Sequence, residues 1–397
     1  MSLKPRAIHF GAGAIGRGFI APLLSKSGYH VVFTDVDQKL INEINDEKEY
    51  NVHILDGAQD IQHIIHVKGV LSTTDDIIRE IAHPKLALIT TAVGLPILDK
   101  IAPTLAKGIK VRREAGGGTI NIIACENAIG ATAQLADKVR LHLNEADIAY
   151  ADECVGFANC SIDRIVPPFH PEQQSSMLDV GVEAFFEWIV QGPSLKGTQP
   201  GSLDPPIEGM TLADNLAPYN ERKLFTLNAG HAITAYLGYL KHLPTVDASI
   251  ADPDIAAVVR GALFDEAGAA LCRKHDFNVK AHGEYIEKII ARFQNAAVKD
   301  DVARVGRQPL RKLGRADRLV GPARMCVELG IPVRHLATGI AAALLYHNED
   351  DPQSIEMRNA IESKGVGQFV TEQTGFEADS DVHTHIIRAY TELSTEH

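Results

Sequence analysis

Residues 7–16 read Ala-Ile-His-Phe-Gly-Ala-Gly-Ala-Ile-Gly, and this stretch decides the fold of the N-terminal half. Its first four residues have the mainly apolar character of a buried parallel strand. They run into the pattern G-x-G-x-x-G, which precedes a helix predicted for residues 18–27. In this pattern Gly11 permits a tight turn, Gly13 lets the backbone approach a pyrophosphate, and Gly16 allows the helix to pack closely against the strand.

A strand predicted for residues 31–35 supplies a second feature of a dinucleotide site. Asp35 ends this strand about 20 positions after the glycines, where a carboxylate accepts hydrogen bonds from the adenosine ribose. Residues 36–38 (Val-Asp-Gln) contain no arginine for a 2′-phosphate, which favours NAD over NADP. We therefore predict that NAD binds at Gly11, Gly13, Ala14, Ile15, Gly16 and Asp35. The alternative is a doubly wound domain with a tight turn and no ligand.

Short apolar strands alternate with amphipathic helices through the first half of the chain. Further strands are predicted at residues 86–92 and 119–124, with another candidate at 148–155, and a helix is predicted at residues 38–44. This alternation predicts an α/β fold with a Rossmann-type doubly wound parallel sheet that is covered by helices on both faces.

A run rich in glycine and proline, residues 192–206, marks the end of this pattern. The chain after it is mainly helical, with helices predicted at residues 219–240, 253–275, 283–293, 320–328, 336–346 and 381–393. We predict an NAD-binding Rossmann domain at residues 1–195. A mainly α-helical domain that binds substrate and provides catalytic residues is predicted at 196–397.

The composition excludes several classes of protein. The 397 residues have a formal net charge of −12, which opposes general affinity for nucleic acid. The apolar runs are too short to span a bilayer, which needs roughly 18–20 residues. We expect no signal peptide before the first strand, and the five cysteines lack the spacing of zinc ligands. We expect a cytoplasmic protein that uses no metal and binds neither nucleic acid nor membrane.

A second polar motif lies on a predicted helix in the other half of the chain. Residues 219–231 read Tyr-Asn-Glu-Arg-Lys-Leu-Phe-Thr-Leu-Asn-Ala-Gly-His. At about 100° per residue, Lys223, Asn228 and His231 share one broad arc. This set suits an alcohol dehydrogenase without a metal, because a desolvated lysine can take the hydroxyl proton and an amide can donate to the developing alkoxide. The alternative is an ordinary amphipathic helix with a solvated lysine and a buried, hydrogen-bonded histidine.

The glycine pattern together with Lys223-x4-Asn228-x2-His231 resembles the polyol-specific long-chain dehydrogenase/reductase family, which includes the mannitol dehydrogenases. The resemblance covers essentially the whole chain. Residues 11–18, 125–127 and 221–228 are most similar to a branch that acts on phosphorylated polyols. The resemblance implies an NAD-dependent oxidoreductase that interconverts a polyol phosphate and a ketose phosphate, with hydride transfer at C5 and a lysine as general acid and base.

The resemblance also implies roles for individual residues. Lys223 occupies the position of the catalytic lysine of the family, and its companions lie at Asn228, His231 and Asn159. In this assignment Asn159 and Asn228 stabilise the reacting oxygen, and His231 holds the substrate or orients the lysine. Taken without the resemblance, Asn159 is better explained as a turn residue that bonds its own backbone.

The run Cys125-Glu126-Asn127 follows a predicted strand and also matches the family. Glu126 resembles an acidic residue that relays a proton from the lysine to water, and Asn127 is a predicted contact of the cofactor. A second interpretation of Glu126 is a carboxylate at the start of the next helix, stabilised by the helix dipole.

Two other functions stay open. A relative that acts on a free polyol or a sugar acid, such as a mannitol 2-dehydrogenase or a uronate reductase, is one of them. Gln191-Gly192 stands where the mannitol 2-dehydrogenases have an acidic pair, which weakens that alternative. The other is an NAD-binding redox sensor without turnover, and the complete set of lysine, amide and imidazole argues against it.

A basic segment is the predicted site of the substrate phosphate. Residues 302–324 contain seven arginines and lysines and one acidic residue. A phosphomonoester has nearly two negative charges and suits bidentate partners. The candidates are Arg304, Arg307, Arg311 and Lys312, with Tyr219 and Arg222 near the catalytic lysine. The alternative is a solvated basic face. We expect a monomer whose partner is a small sugar phosphate.

Overall fold

The computed structural model describes residues 4–56, 60–169, 176–197, 203–298 and 300–395. The chain divides into two compact units, unit 1 (Met1–Tyr219) and unit 2 (Asn220–His397). The sequence predicts a boundary after residue 195. Unit 1 extends further because residues 210–213 form a strand that pairs in parallel with residues 188–191.

The strands described in unit 1 are β1 (Arg6–Phe10), β2 (His30–Asp35), β3 (Glu49–Ile54), β4 (Asp60–Ile65), β5 (Lys68–Leu71), β6 (Leu86–Thr91), β7 (Ile120–Ala124), β8 (Val155–Phe157), β9 (Cys160–Asp163), β10 (Val180–Val182), β11 (Glu187–Gln191) and β12 (Met210–Ala213). The helices of unit 1 are α1 (Ala21–Lys26), α2 (Gln38–Glu47), α3 (Asp75–Ile81), α4 (Leu98–Glu114), α5 (Ala131–Arg140) and α6 (Glu145–Cys154). A further helix, α7 (Ala217–Arg222), spans the boundary between the units.

The main sheet of unit 1 has the order β5-β2-β1-β6-β7-β8, and every neighbouring pair in it is parallel. Its two faces contribute to two separate apolar clusters: Ala7 of β1 lies in one, and Ile8 and Phe10 lie in the other. Burial on both faces explains the nearly continuous apolar strands. The predicted α/β fold with a doubly wound parallel sheet is confirmed.

The strand predicted at residues 148–155 is wrong over most of its length, because residues 145–154 form α6. The Asn144 side chain accepts a hydrogen bond from the Asp147 N–H (2.9 Å) and so caps the helix. Glu145 and Asp147 lie in the first turn, where the helix dipole favours negative charge. These signals at the start of the helix outweigh the apolar residues that suggested a strand.

Unit 2 is helical in its described residues. Its helices are α8 (Ala229–Leu240), α9 (Val246–Ala251), α10 (Pro253–Gly261), α11 (Ala269–His275), α12 (Val279–Phe293), α13 (Val302–Gly306), α14 (Pro309–Lys312), α15 (Val320–Glu328), α16 (His335–Leu344), α17 (Pro352–Lys364), α18 (Val366–Thr374) and α19 (Asp381–Thr395). α8 and α16 pack against each other and are buried on nearly all sides, as expected of helices that are apolar all round. The predicted helical character of this half is confirmed.

Three helical segments have π geometry, in which the hydrogen bond joins residues i and i+5: Gly16–Ile20, Lys223–Asn228 and Ala262–Gly268. The first two coincide with the two motifs singled out from the sequence. Within the ranges described, no helix is both long and apolar enough to cross a membrane. The same ranges hold no group of three or more histidine, cysteine and acidic side chains arranged to bind a metal ion.

Candidate active site

The glycine loop of unit 1 lies between β1 and the first helical turn. Gly11 has φ +96°, and a Cβ there would overlap the carbonyl oxygen of Ala92, so the position requires glycine. A Cβ on Gly16 would lie 2.7 Å from the His9 ring, which explains the close approach of helix and strand. A Cβ on Gly13, by contrast, would meet no described atom within 4 Å. Internal packing therefore does not require glycine at this position, and the open space above its backbone fits a pyrophosphate.

Asp35 lies at the end of β2, beside this loop. Its Oδ2 accepts a hydrogen bond from the Ala12 N–H (2.8 Å), and its Oδ1 accepts one from the Asp37 N–H (3.1 Å). The side chain is partly exposed, and each carboxylate oxygen can accept a further hydrogen bond. Asp35 thus positions the loop and keeps acceptors for ribose hydroxyls.

Arg17 is a residue of this site that sequence reasoning missed. Its Nε donates to the Leu178 carbonyl (2.8 Å), and its Nη1 donates to the carbonyl of Ala12. The Tyr50 hydroxyl in turn donates to the Arg17 carbonyl (2.8 Å). The guanidinium therefore fixes the loop and adds positive charge where a helix N-terminus already attracts anions. The only signal in the sequence was an arginine directly after the last glycine.

Glu126 is buried just beyond β7 and binds the loop that follows β6. Its Oε1 accepts hydrogen bonds from the Thr91 hydroxyl (2.6 Å) and the Val93 N–H (3.0 Å), and its Oε2 accepts one from the Gly94 N–H (2.8 Å). Three donors hold this carboxylate to the loop after β6, and Oε2 keeps one further acceptor position. The next helix begins only at Ala131, so the alternative placement at a helix start is not observed. The contacts give Glu126 a structural role.

Asn159 follows β8. Its Oδ1 accepts a hydrogen bond from the Ala133 N–H (3.0 Å) in the first turn of α5, and its carbonyl accepts one from the Gln191 N–H (2.9 Å). This contact orients the side chain and leaves its amide nitrogen as a donor. Asn159 is partly exposed, so that donor is accessible to a ligand. Asn127, the other predicted site residue of this region, is exposed just after β7.

The predicted site residues of unit 1 gather at one edge of its sheet. Asp35 is the last residue of β2, and Gly11, Asn127 and Asn159 follow the carboxyl ends of β1, β7 and β8. The sheet is parallel, so these ends share an edge, and the strand order changes direction between β1 and β6. Open α/β sheets bind ligands at this point.

The predicted catalytic residues of unit 2 lie on one continuous helix. Lys223 and Asn228 begin and end the π-helical segment, so an i to i+5 spacing joins them and places them on one face. His231 follows Asn228 by three residues in α8, which also favours one face. All three side chains are partly exposed, whereas residues 225–227 and 229–230 are buried. The three polar groups thus lie on the open face of a buried helix.

His231 contacts a carboxylate that sequence reasoning missed. Its Nε2 lies 2.8 Å from Asp300 Oδ2, although the two groups are not well aligned for a hydrogen bond. The His231 ring stacks on Phe293 with centroids 5.3 Å apart and an interplanar angle of 12°. The other oxygen of Asp300 accepts a hydrogen bond from Arg304 Nε (2.8 Å). No local pattern could have paired residues so distant in the sequence.

Two of the predicted phosphate ligands are committed to other contacts. Lys312 is buried, and its ammonium donates to the carbonyls of Val305 and Arg307. Burial, aided by nearby arginines, lowers the pKa of Lys312 to about 7. The Arg222 guanidinium lies over the Tyr285 ring, 4.4 Å from its centroid. These contacts argue against Lys312 and Arg222 as ligands of a substrate phosphate, because both charges already lie against groups of the protein.

The remaining candidates are more accessible. Arg307 and Arg311 are exposed, and Tyr219 is partly exposed in α7. The side chain of Arg304 is 50% exposed although it is paired with Asp300. Charge density in the sequence therefore identified the segment but did not separate accessible arginines from groups that serve the fold.

Two family models match this chain. The mannitol dehydrogenase Rossmann domain matches residues 5–202, and the mannitol dehydrogenase C-terminal domain matches residues 215–394. Among solved structures, the Pseudomonas fluorescens mannitol 2-dehydrogenase, in ternary complex with NAD and D-mannitol, has a TM-score of 0.75 at 17% identity, covering 100% of this chain and 93% of that chain.

A D-sorbitol dehydrogenase in substrate-free form has a TM-score of 0.82 at 16% identity, covering 99% of this chain and 94% of that chain. Identities this low show a shared fold. The two family models together match nearly the whole chain. The protein therefore belongs to the mannitol dehydrogenase family of oxidoreductases.

Proposed function

We propose that this protein is an NAD-dependent mannitol-1-phosphate 5-dehydrogenase, which interconverts D-mannitol 1-phosphate and D-fructose 6-phosphate. The observation on which the proposal mainly rests is the row of partly exposed Lys223, Asn228 and His231 on a helix that is otherwise buried around them. A lysine, an amide and an imidazole on one face supply a base, an oxyanion donor and an orienting group. Membership of the mannitol dehydrogenase family supports a polyol as the compound oxidised.

NAD is the proposed cofactor. The open backbone at Gly13 would receive the pyrophosphate, and the Asp35 carboxylate would accept hydrogen bonds from the adenosine ribose. Asp35 would also repel the 2′-phosphate of NADP. The mannitol 2-dehydrogenase with a similar fold was solved with NAD, which supports the same choice.

In the direction of oxidation, Lys223 takes the proton of the C5 hydroxyl. The amide nitrogens of Asn228 and Asn159 donate to the developing alkoxide and so stabilise its charge. The chemistry that bound NAD supplies is acceptance of the hydride from C5 as the carbonyl forms. In the reverse direction, protonated Lys223 returns a proton to the oxygen. We leave Glu126 outside this scheme, because three hydrogen bonds hold its carboxylate to the loop after β6.

The substrate phosphate is proposed to bind at Arg307 and Arg311, with contributions from Arg304 and Tyr219. The two arginines are exposed and can present a bidentate fork. A free polyol or a sugar acid is the competing substrate, and the loss of Lys312 and Arg222 from the set of candidates strengthens that alternative.

The test is a comparison of NADH oxidation with fructose 6-phosphate, fructose and a uronate. We expect fructose 6-phosphate to have a kcat/KM about 10²-fold higher, since one charge-assisted hydrogen bond is worth about 1.5–3 kcal/mol. Equal rates with fructose would assign the free-polyol reaction instead. NADH binding without turnover of any compound would favour a redox sensor.

Lysine variants test the mechanism separately. Lys223→Ala should lower kcat by about 10²–10⁴-fold because the general base is lost. The matched control is Lys288→Ala, which removes an exposed lysine of α12 and should leave kcat unchanged. Full turnover by the Lys223 variant, or loss of wild-type turnover on adding a chelator, would contradict the proposal.

A further inference from the structure

We propose that Asp300 is a positioning residue that holds the His231 imidazole in the tautomer with hydrogen on Nε2, so that Nδ1 accepts a hydrogen bond from a substrate hydroxyl. The inference rests on the proposed function, since the hydroxyl belongs to the polyol. It concerns a contact between two residues that no motif connects.

The contact itself selects the tautomer. His231 Nε2 lies 2.8 Å from Asp300 Oδ2, and both atoms are shielded from solvent. An ionised carboxylate only accepts hydrogen bonds, so the nitrogen that faces it bears the hydrogen in a neutral imidazole. A small rotation of the ring would align the pair, as catalytic hydrogen bonds often tighten when a ligand binds.

Asp300 is in turn held by Arg304. The Asp300 side chain is only 6% exposed, and its Oδ1 accepts a hydrogen bond from Arg304 Nε at 2.8 Å. Burial acts to raise the pKa of the Asp300 carboxyl, but the contacts with His231 and Arg304 outweigh it and hold that pKa below its ordinary value. The carboxylate therefore stays ionised and keeps its orientation. This assigns Arg304 a role besides any contact with phosphate.

The ring of His231 has little freedom to leave this position. Phe293 stacks flat against it. Gly230 makes this possible, because a Cβ at that position would lie 3.1 Å from the Phe293 ring. Among the described residues, Asp300 contacts the imidazole and is itself paired with Arg304, while Phe293 of α12 contributes an apolar ring.

Nδ1 is the nitrogen left for a ligand. Among the described residues it has no hydrogen-bond partner, and the His231 side chain is 18% exposed. It belongs to the helix face that presents Lys223 and Asn228. With Nε2 protonated, Nδ1 accepts a hydrogen bond from a hydroxyl next to the reacting carbon and leaves the transfer of the reacting proton to Lys223.

The experiment uses long-range 1H–15N spectra of the full-length protein with labelled histidine, in which the His231 signal is assigned by its loss in His231→Gln. We expect the pattern of the Nε2-protonated tautomer in the wild type. In Asp300→Asn we expect a shift towards the other tautomer and a kcat about 10²-fold lower, the scale of a misplaced catalytic group, with NADH affinity unchanged.

The matched control is Asp351→Asn, the same substitution at another buried carboxylate of unit 2, which caps α17 and should change neither readout. Arg304→Lys is a second variant, for the case in which Asp300→Asn fails to fold. It keeps a positive charge beside Asp300, so the His231 signals should shift in the same direction as in Asp300→Asn but to a smaller extent. An Nδ1-protonated wild type, or His231 signals unmoved in both variants, would overturn the proposal.

These spectra do not depend on turnover. A protein that reduces no sugar phosphate or sugar would refute the proposed function, while the tautomer and its response to Asp300→Asn would still test the contact.

Discussion

At the residue scale, the three glycines of the first motif have different reasons to be glycine. Gly11 and Gly16 each have protein atoms where a Cβ would lie, so the fold requires them. Gly13 has open space there, so only a bound molecule would exclude a side chain. Substitutions at these three positions can therefore distinguish an effect on the stability of unit 1 from an effect on cofactor binding.

We expect Gly13→Ala to weaken NADH binding by at least about tenfold while the free energy of unfolding of unit 1 changes by less than about 1 kcal/mol. Titration of NADH measures the first quantity. Denaturant unfolding followed by the fluorescence of Trp188, the single tryptophan of the chain, measures the second.

Two other alanine variants serve as comparisons for Gly13→Ala. Gly16→Ala should lower the stability of unit 1 because its Cβ meets the His9 ring. Gly118→Ala, which also enters open space, should affect neither quantity. Unchanged NADH affinity in Gly13→Ala would show that no pyrophosphate approaches this backbone.

Glu126 gives a second prediction at the residue scale. Glu126→Gln replaces one acceptor oxygen by an amide that faces an N–H donor, so we expect unit 1 to lose about 1–3 kcal/mol of stability. The shape of the pH–rate profile should stay that of the wild type, since the carboxylate is occupied by Thr91, Val93 and Gly94. A profile that loses one limb in this variant would restore the proton relay.

Residue types in the sequence were enough to propose Lys223, Asn228 and His231, whereas Asn159 was proposed from the resemblance to the family. All four side chains are partly exposed. Residue types were not enough to show that Lys312 and Arg222 contact groups of the protein. Lys312 donates to two carbonyls, and Arg222 lies over an aromatic ring. A basic side chain looks the same in a sequence whether it faces solvent or stabilises a helix end, so its partners decide its role.

At the scale of elements, β1, β2, β6 and β7 of the main sheet were predictable because both of their faces are apolar. β5 was not predicted, and the strand predicted at residues 148–155 overlaps β8 only at Val155. The two smaller sheets, β10-β3-β4 and β12-β11-β9, were not predicted. β4 is exposed at five of its six positions, and β12 has no buried position. Little hydrophobic periodicity was available there, so tertiary pairing determines these strands.

β1 leads to a prediction about acid stability. His9 is fully buried in this strand, with Nδ1 2.7 Å from the Thr90 hydroxyl, and burial lowers its pKa to about 3. Between pH 6.5 and that value, the unfolded chain binds a proton that the folded chain does not. Stability therefore falls as the pH falls, by about 1.4 kcal/mol per pH unit for this group.

We expect His9→Gln to have a shallower fall in stability between pH 6 and pH 4, the acid range in which His9 acts, measured by Trp188 fluorescence in denaturant titrations. The comparison of slopes removes the contribution of carboxyl groups that both proteins share. His142→Gln, at an exposed histidine of the same unit, should keep the wild-type slope. Equal slopes for His9→Gln and the wild type would contradict the burial argument.

At the scale of the whole molecule, the residues of the proposed function are distributed over the two compact units. Unit 1 holds the glycine loop, Asp35 and Asn159, and unit 2 holds Lys223, Asn228 and His231. The family models divide the chain in a similar place, between residues 202 and 215. The monomeric state and the cytoplasmic location remain predictions from the sequence.

We expect NADH to increase protection from hydrogen exchange mainly in unit 1, at residues 11–17, 34–37 and 91–94. A ligand that binds only the folded state stabilises it by about 2.7 kcal/mol at a concentration of 100 Kd. Fructose 6-phosphate added with NADH should protect residues 223–231 and 304–311. Protection by NADH confined to unit 2 would place the cofactor elsewhere.

The π-helical turns have a consequence for comparing this chain with its relatives. A turn closed by i to i+5 contains one residue more than a turn of α-helix, while the helix continues on both sides. The spacing Lys223-x4-Asn228 matches the family motif, so relatives should share the turn at residues 223–228 and align there without a gap. At residues 262–268, by contrast, a relative that lacks the turn should align with a gap of a single position inside the helix and not in the neighbouring loops.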